Sequence, residues 1–183
     1  MQIVTLCGSL RARSLNRAVL RAYARLAPPE LAFVHCEQIG ALPHFNPDLD
    51  GETPPPEVSV FRGFLAKADA LVLSTPEYAH GLPGSFNNAL DWLVSDPGFV
   101  GKPVVILHAE RGSTWALDSL REVLKTMSAK ILEPASVLLP FGTIQLDEEA
   151  ILAREDLRRL LLGSLEHLRH HLTGSADEHQ QLR

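Results

Sequence analysis

The chain has 183 residues, the size of one ordinary domain, and is long enough to bury a core without disulfide or metal staples. With 45% hydrophobic and 21% charged residues it is neither a disordered chain nor a membrane protein, and runs such as Val104-Val105-Ile106-Leu107 are strand-sized rather than bilayer-spanning. A net charge of -5 disfavours nucleic acid and anionic membrane as partners.

Residues 1–7 read as a first strand that begins without a basic stretch, so no signal peptide is expected. Leu15, Val19, Ala22 and Leu26 recur at helical spacing, which predicts a helix over 14–27 stopped by Pro28-Pro29. A second strand covers 31–36. Residues 40–56, rich in Pro, Gly, Asn and Asp, predict a long loop of the kind that often carries function. Then follow a helix (57–67), a strand apolar on both faces (69–74), a helix (84–94), a strand (103–108), a helix (114–130) and a strand (135–139). A long helix over 147–172 precedes a polar tail over 173–183.

Apolar strands alternating with helices imply a three-layer α/β sandwich: a five-stranded parallel sheet covered by helices on both faces. No linker divides it, so residues 1–172 form one domain. Ligands of such sheets lie outside the carboxyl ends of the strands, where strand order reverses. The loops after strands one, three and four are therefore the ones to inspect. Cys7 and Cys36 lack metal or redox spacing and read as reduced thiols of a cytoplasmic protein. His167, His170 and His171 read as cations opposing a helix dipole near its carboxyl end rather than as metal ligands.

The first of these loops is Gly8-Ser9-Leu10-Arg11-Ala12-Arg13-Ser14-Leu15-Asn16. It leaves a strand and opens a helix, whose first amides and positive dipole end suit a phosphate. Ser9, Ser14 and Asn16 add short polar groups, and Arg11 or Arg13 a charge-assisted contact. Neither GxGxxG nor GxxxxGK[ST] is present. The second loop begins Thr75-Pro76-Glu77-Tyr78-Ala79-His80-Gly81 and runs on through Asn88 to Trp92. Its prolines and glycines predict a rigid turn that approaches a ligand closely, with Tyr78 offering an aromatic surface. His80 and His108 are candidates for substrate contact. Trp92 is expected in the core or at a subunit contact. No hydrolase arrangement is present.

Together the two stretches resemble the NAD(P)H-dependent FMN reductase family, which includes bacterial quinone, chromate and azo-dye reductases. The family's Gly-Ser-x-Arg-x-x-Ser-x-Asn is met by Gly8, Ser9, Arg11, Ser14 and Asn16; its Pro-Glu-Tyr, Pro-Gly and Asn-Ala-(Ile/Leu)-Asp-Trp by Pro76, Glu77, Tyr78, Pro83, Gly84 and residues 88–92. Ala79 stands where the family has Asn. His108-Ala109-Glu110-Arg111-Gly112-Ser113-Thr114-Trp115 stands where it usually has Ser-x-Gly with a nearby Gly-Gly.

The resemblance implies a flavodoxin-like fold of strand order 2-1-3-4-5 and bound FMN. The phosphate would lie at Ser9, Arg11, Ser14, Leu15 and Asn16, and the ring against Pro76, Glu77, Tyr78, Ala79, Gly112 and Ser113. NADPH or NADH is the implied hydride donor and a quinone-like small molecule the acceptor. A homodimer or homotetramer is implied, with the loop at Pro43 to Pro47 edging the pocket or the subunit contact. No side chain is expected to act as catalytic acid, base or nucleophile. The alternatives are a flavin reductase that releases reduced FMN and a non-catalytic flavodoxin-like binding module.

Overall fold

The structure, a computed structural model, describes residues 1–110 and 112–181. Arg111, singled out above with its loop, lies outside the described residues, as do residues 182 and 183 of the expected tail.

The chain runs β1 (Gln2–Cys7), α1 (Leu15–Leu26), β2 (Ala32–Cys36), α2 (Pro56–Ala66), β3 (Ala70–Ser74), α3 (Gly84–Asp91), β4 (Pro103–Glu110), α4 (Trp115–Thr126), β5 (Lys130–Ile131), β6 (Val137–Pro140), α5 (Glu148–Ala153) and α6 (Glu155–Gln181). The sheet order is β2-β1-β3-β4-β5 and every named pairing is parallel. This is the expected flavodoxin-like order. One layer of core lies under α2, α3 and α4, with Phe61, Phe86, Trp92 and Leu120 fully buried. The other lies under α1, α5 and α6, with Tyr23, Ile151, Leu157, Leu161 and Leu168 fully buried. β3 is buried along its whole length, as a central parallel strand must be. β2, at the edge, alternates exposed and partly buried residues up to Cys36.

Two expectations change in detail. The edge position beside β4 is filled by two short segments. β5 pairs the first part of β4, and β6 pairs its end from Leu107 to Glu110. Between them the chain makes a turn over Glu133, Pro134 and Ala135, closed by the Ala135 and Ser136 amides on Leu132 O. The Ile106 amide donates there to Ser136 Oγ at 3.0 Å. The long helix from 147 is broken at Arg154, whose backbone is extended. Glu155 and Asp156 then open α6, placing two acids at the positive end of a new helix. The break lets both Ile151 and Leu157 reach the core. Because α6 continues to Gln181, His167, His170 and His171 sit within the helix rather than near its carboxyl end.

The long loop over 40–56 is pinned rather than loose. On α3, Asn88 accepts from the Phe45 amide at 2.7 Å and donates to Pro43 O at 3.0 Å. One turn on, the Trp92 indole donates to Pro43 O at 2.8 Å, and Phe45 meets Trp92 edge to face at 5.0 Å. Further along, Asp50 is held by Arg62 and Ser95 at 2.8 and 2.6 Å. Asn88 and Trp92, four residues apart on one helix face, thus act as a staple for this loop.

β1 and β3 are still in contact where both end. Gly8 N donates to Ser74 O at 2.9 Å. A Cβ on Gly8 would stand 2.1 Å from Thr75 Oγ1 and 3.1 Å from Thr75 Cα, so only glycine fits. Gly8→Ala is expected to destabilise the fold by about 3 kcal/mol through this overpacking, read as a lower denaturant midpoint with an unchanged slope. A midpoint equal to that of the parent chain would show that the two strand ends separate freely.

Candidate functional site

A cavity of about 410 Å³ opens at the carboxyl ends of β1, β3 and β4. It lies where the chain, having laid β2 on one side of β1, places β3 on the other, which is the switch point of an open parallel sheet.

Its first wall is the loop into α1: Ser9, Arg11, Ser14, Leu15 and Asn16 line the cavity. Ser14 is the N-cap, accepting from the Arg17 amide at 3.4 Å, and the Ala18 amide returns to Ser14 O at 3.0 Å. The amides of Leu15 and Asn16 are the two donors that this capping leaves to a ligand. Ser74, fully buried at the end of β3, shares its hydroxyl hydrogen between Asn16 Oδ1 at 2.9 Å and Leu107 O at 2.7 Å. Asn16 is thereby tied to the sheet through its carbonyl, and its NH2 group is what it can offer an anion. Ser9 Oγ accepts from the Arg11 amide at 3.4 Å, curling the loop. Arg17, in the first turn of α1, also serves the loop. It donates to Ser9 O at 3.5 Å while paired with Glu37 at 2.7 Å. Arg13 points elsewhere: it lines a neighbouring cavity of about 310 Å³ and not this one.

The second wall comes from β3. Pro76, Glu77 and Tyr78 line the cavity and Ala79 does not. Tyr78 and Gly81 exchange both backbone hydrogen bonds, each 3.0 Å. The two residues between them have positive φ, +49° at Ala79 and +59° at His80. This is the geometry of a type I′ turn, which favours Asn and Gly and which alanine adopts only under strain. Ala79 departs from the family pattern at the position where asparagine would be at ease. Ala79→Gly is expected to stabilise the chain by about 0.5–1 kcal/mol, seen as a rise in Tm. A fall would mean the turn is not held in this conformation.

The third wall is β4 and its exit. His108, Ala109 and Ser113 line the cavity, and Gly112, at φ +105°, turns the loop without lining it. The two loops are joined by Glu77. Its carboxylate accepts from Ser113 Oγ at 2.5 Å and from the Ala116 amide at 3.0 Å. Thr114, the N-cap residue of α4, bonds Asp118 instead of a helix amide, so Glu77 supplies from another loop the cap that α4 lacks. These two hydrogen bonds, the Ser113 hydroxyl first, hold the Glu77 carboxyl below its usual range. Gln145, from the loop after β6, completes the cavity. It lies outside the loops after strands one, three and four, where the sequence places the site. The expected pocket edge at Pro43 to Pro47 contributes no lining residue, because α3 holds that loop to itself.

Since the folded pKa of Glu77 is depressed, its capping contribution is complete above the unfolded carboxylate value of about 4.3 and is lost as pH falls through the folded one. Glu77→Gln is therefore expected to cost about 1 kcal/mol at neutral pH, the carboxylate being partly water-screened. The gap from the parent chain should close on acidification below pH ~4. A gap that stays constant with pH would assign the loss to something other than charge.

The fold and site define a flavodoxin-like protein with a donor-lined helix start at one end of a cavity and a wall of β3 and β4 loop residues, Tyr78 among them, at the other. The donor set fits FMN. Helix amides, two hydroxyls, an amide and Arg11 suit a phosphate, and a cavity of this size suits a small planar cofactor. The chain belongs to the NADPH-dependent FMN reductase family, whose pattern matches residues 1–143. It is 31% identical over 173 residues to an NAD(P)H-dependent FMN reductase of Pseudomonas aeruginosa, covering 92% of this chain and 93% of that one. It is 32% identical over 168 residues to a 2-hydroxy-1,4-benzoquinone reductase of a Burkholderia species, covering 88% and 90%. In structure it is similar to the flavoenzyme NAD(P)H:(acceptor) oxidoreductase FerB of Paracoccus denitrificans, with TM-score 0.73 and 28% identity over 90% of this chain and 93% of that one. Membership bears out the family expectation, and with it an oxidoreductase that uses FMN and NAD(P)H. Among the described residues no helix is long and apolar enough to cross a membrane.

Proposed function

We propose that the chain holds FMN non-covalently and catalyses NAD(P)H + H⁺ + quinone → NAD(P)⁺ + hydroquinone, with a quinone-like small molecule as acceptor. The observation that carries this is the α1 cradle facing the β3 and β4 loops across one cavity. Bound FMN supplies the two-electron chemistry, so no side-chain nucleophile is needed. The protein's part is positioning. Leu15 and Asn16 amides, Ser9, Ser14 and Arg11 hold the phosphate. Pro76, Glu77, Tyr78 and Ser113 set the wall for the ring, and Ala79 and Gly112 shape the turns behind it. His108, buried at the end of β4, lines the same wall. A homodimer or homotetramer and a cytoplasmic setting belong to the same proposal; the two cysteines are free, as that setting allows.

The direct test is colour. Protein mixed with FMN and desalted should stay yellow, and NADH or NADPH should bleach it in the absence of air. Rapid NAD(P)H turnover only in added FMN, with no flavin retained, would indicate a flavin-releasing reductase, and neither effect a binding module. Arg11→Ala should weaken FMN binding by roughly 1.5–3 kcal/mol, about 10- to 150-fold, whereas Arg13→Ala, facing the other cavity, should change it little. Equal losses for the two variants would remove Arg11 from the phosphate site.

A further inference from the structure

We propose that His80 and Trp115 form an aromatic shelf at the rim of the cavity that selects fused-ring aromatic acceptors over single-ring ones. This rests on the acceptor reading above and names the class of acceptor.

Three observations lead there. The rings of His80 and Trp115 stack, with centroids 5.5 Å apart and planes 24° from parallel. This stack is not core packing: Trp115 is 60% exposed, and Tyr78, on the loop that carries His80, is 49% exposed. The indole, stacked on His80, still leaves a large apolar surface open to a flat partner.

The second observation is strain. His80 reaches Trp115 from a turn whose two central residues, Ala79 and His80, both have positive φ without being glycine. Backbone strain of this kind persists where the surroundings hold it in place and gathers at ligand sites.

The third is the link between loops. Glu77 binds both Ser113 and Ala116, which flank Trp115 closely in sequence. His80 and Trp115 are thus fixed to the two loops whose residues Tyr78 and Ser113 line the cavity. Once a flavin fills that cavity, an acceptor has to lie at its rim, and the exposed aromatic residues next to the lining residues in the chain are Tyr78 itself, His80 and Trp115. A second fused ring extends an acceptor's apolar face and so increases what the shelf can cover. The family motifs do not account for Trp115, which falls in the stretch where this chain departs from them.

The test uses FMN-loaded protein with 1,4-naphthoquinone and 1,4-benzoquinone. Trp115→Ala should raise the naphthoquinone-to-benzoquinone ratio of KM about 5- to 10-fold, with FMN dissociation within about twofold of the parent. His80→Ala, which leaves α4 untouched, should raise the ratio about 2- to 3-fold, and Trp115→Phe should restore most of it. A ratio that stays constant in both alanine variants while FMN remains bound overturns the shelf. So does a change in molecular mass by light scattering with the ratio unmoved, which would make Trp115 a contact between copies of this chain. If the parent reduces neither quinone, the acceptor reading fails instead. Equilibrium dialysis of naphthoquinone against oxidised protein then decides the shelf by itself. Binding lost in Trp115→Ala supports it, and binding absent from the parent or unchanged in the variant overturns it.

Discussion

The site depends on how closely β1 and β3 approach at their carboxyl ends. There the Gly8 amide bonds Ser74 O, and a methyl group on Gly8 would overlap Thr75. The same Ser74 reaches through its hydroxyl to Asn16 and to Leu107 O, so one buried serine ties β3, the start of α1 and β4 together. The α1 amides are aimed into the cavity because that contact fixes where the helix begins. Without it the cradle and the β3 loop would be two unrelated turns at the end of a sheet.

Around this fixed corner the two remaining loops are held by single polar residues. Glu77 is the clearest case. In sequence it belongs to a motif expected against a flavin ring; in space its carboxylate caps α4 and anchors Ser113. The helix lacks a cap of its own because Thr114 turns to Asp118. A carboxylate at the positive end of a helix, held by two donors, gives up its charge only in acid. The wall facing the cradle is therefore assembled from two loops but behaves as one piece.

Asn88 and Trp92 act in the same way, holding the 40–56 loop against α3. The second motif thus does two jobs along one stretch of chain. Its first residues line the cavity and its last ones fasten a long loop that does not. A motif quoted as a string hides that division, since neighbouring residues serve different parts of the molecule.

Much of this was legible in the sequence by itself. Apolar strands alternating with amphipathic helices determine a doubly covered parallel sheet, because both faces of such strands must be buried. Ser9, Arg11, Ser14 and Asn16 could be placed at a helix start because capping chemistry is local. The tertiary structure alone decided what depends on distant partners. The residue types alone leave Arg11 and Arg13 equivalent and the family resemblance favours Arg11; in the fold Arg11 lines the cavity and Arg13 a neighbouring one. Gln145 joins the site only because β6 lies beside β4. The break at Arg154 arises where Ile151 and Leu157 must both reach the core, although Glu155 and Asp156 marked a possible helix start. The bond from Glu77 to Ala116 joins residues 39 positions apart, and the positive φ at Ala79 and His80 is imposed by a turn that their own side chains disfavour. Local preferences determine which elements form; contacts between elements far apart in the chain determine which side chains share a cavity.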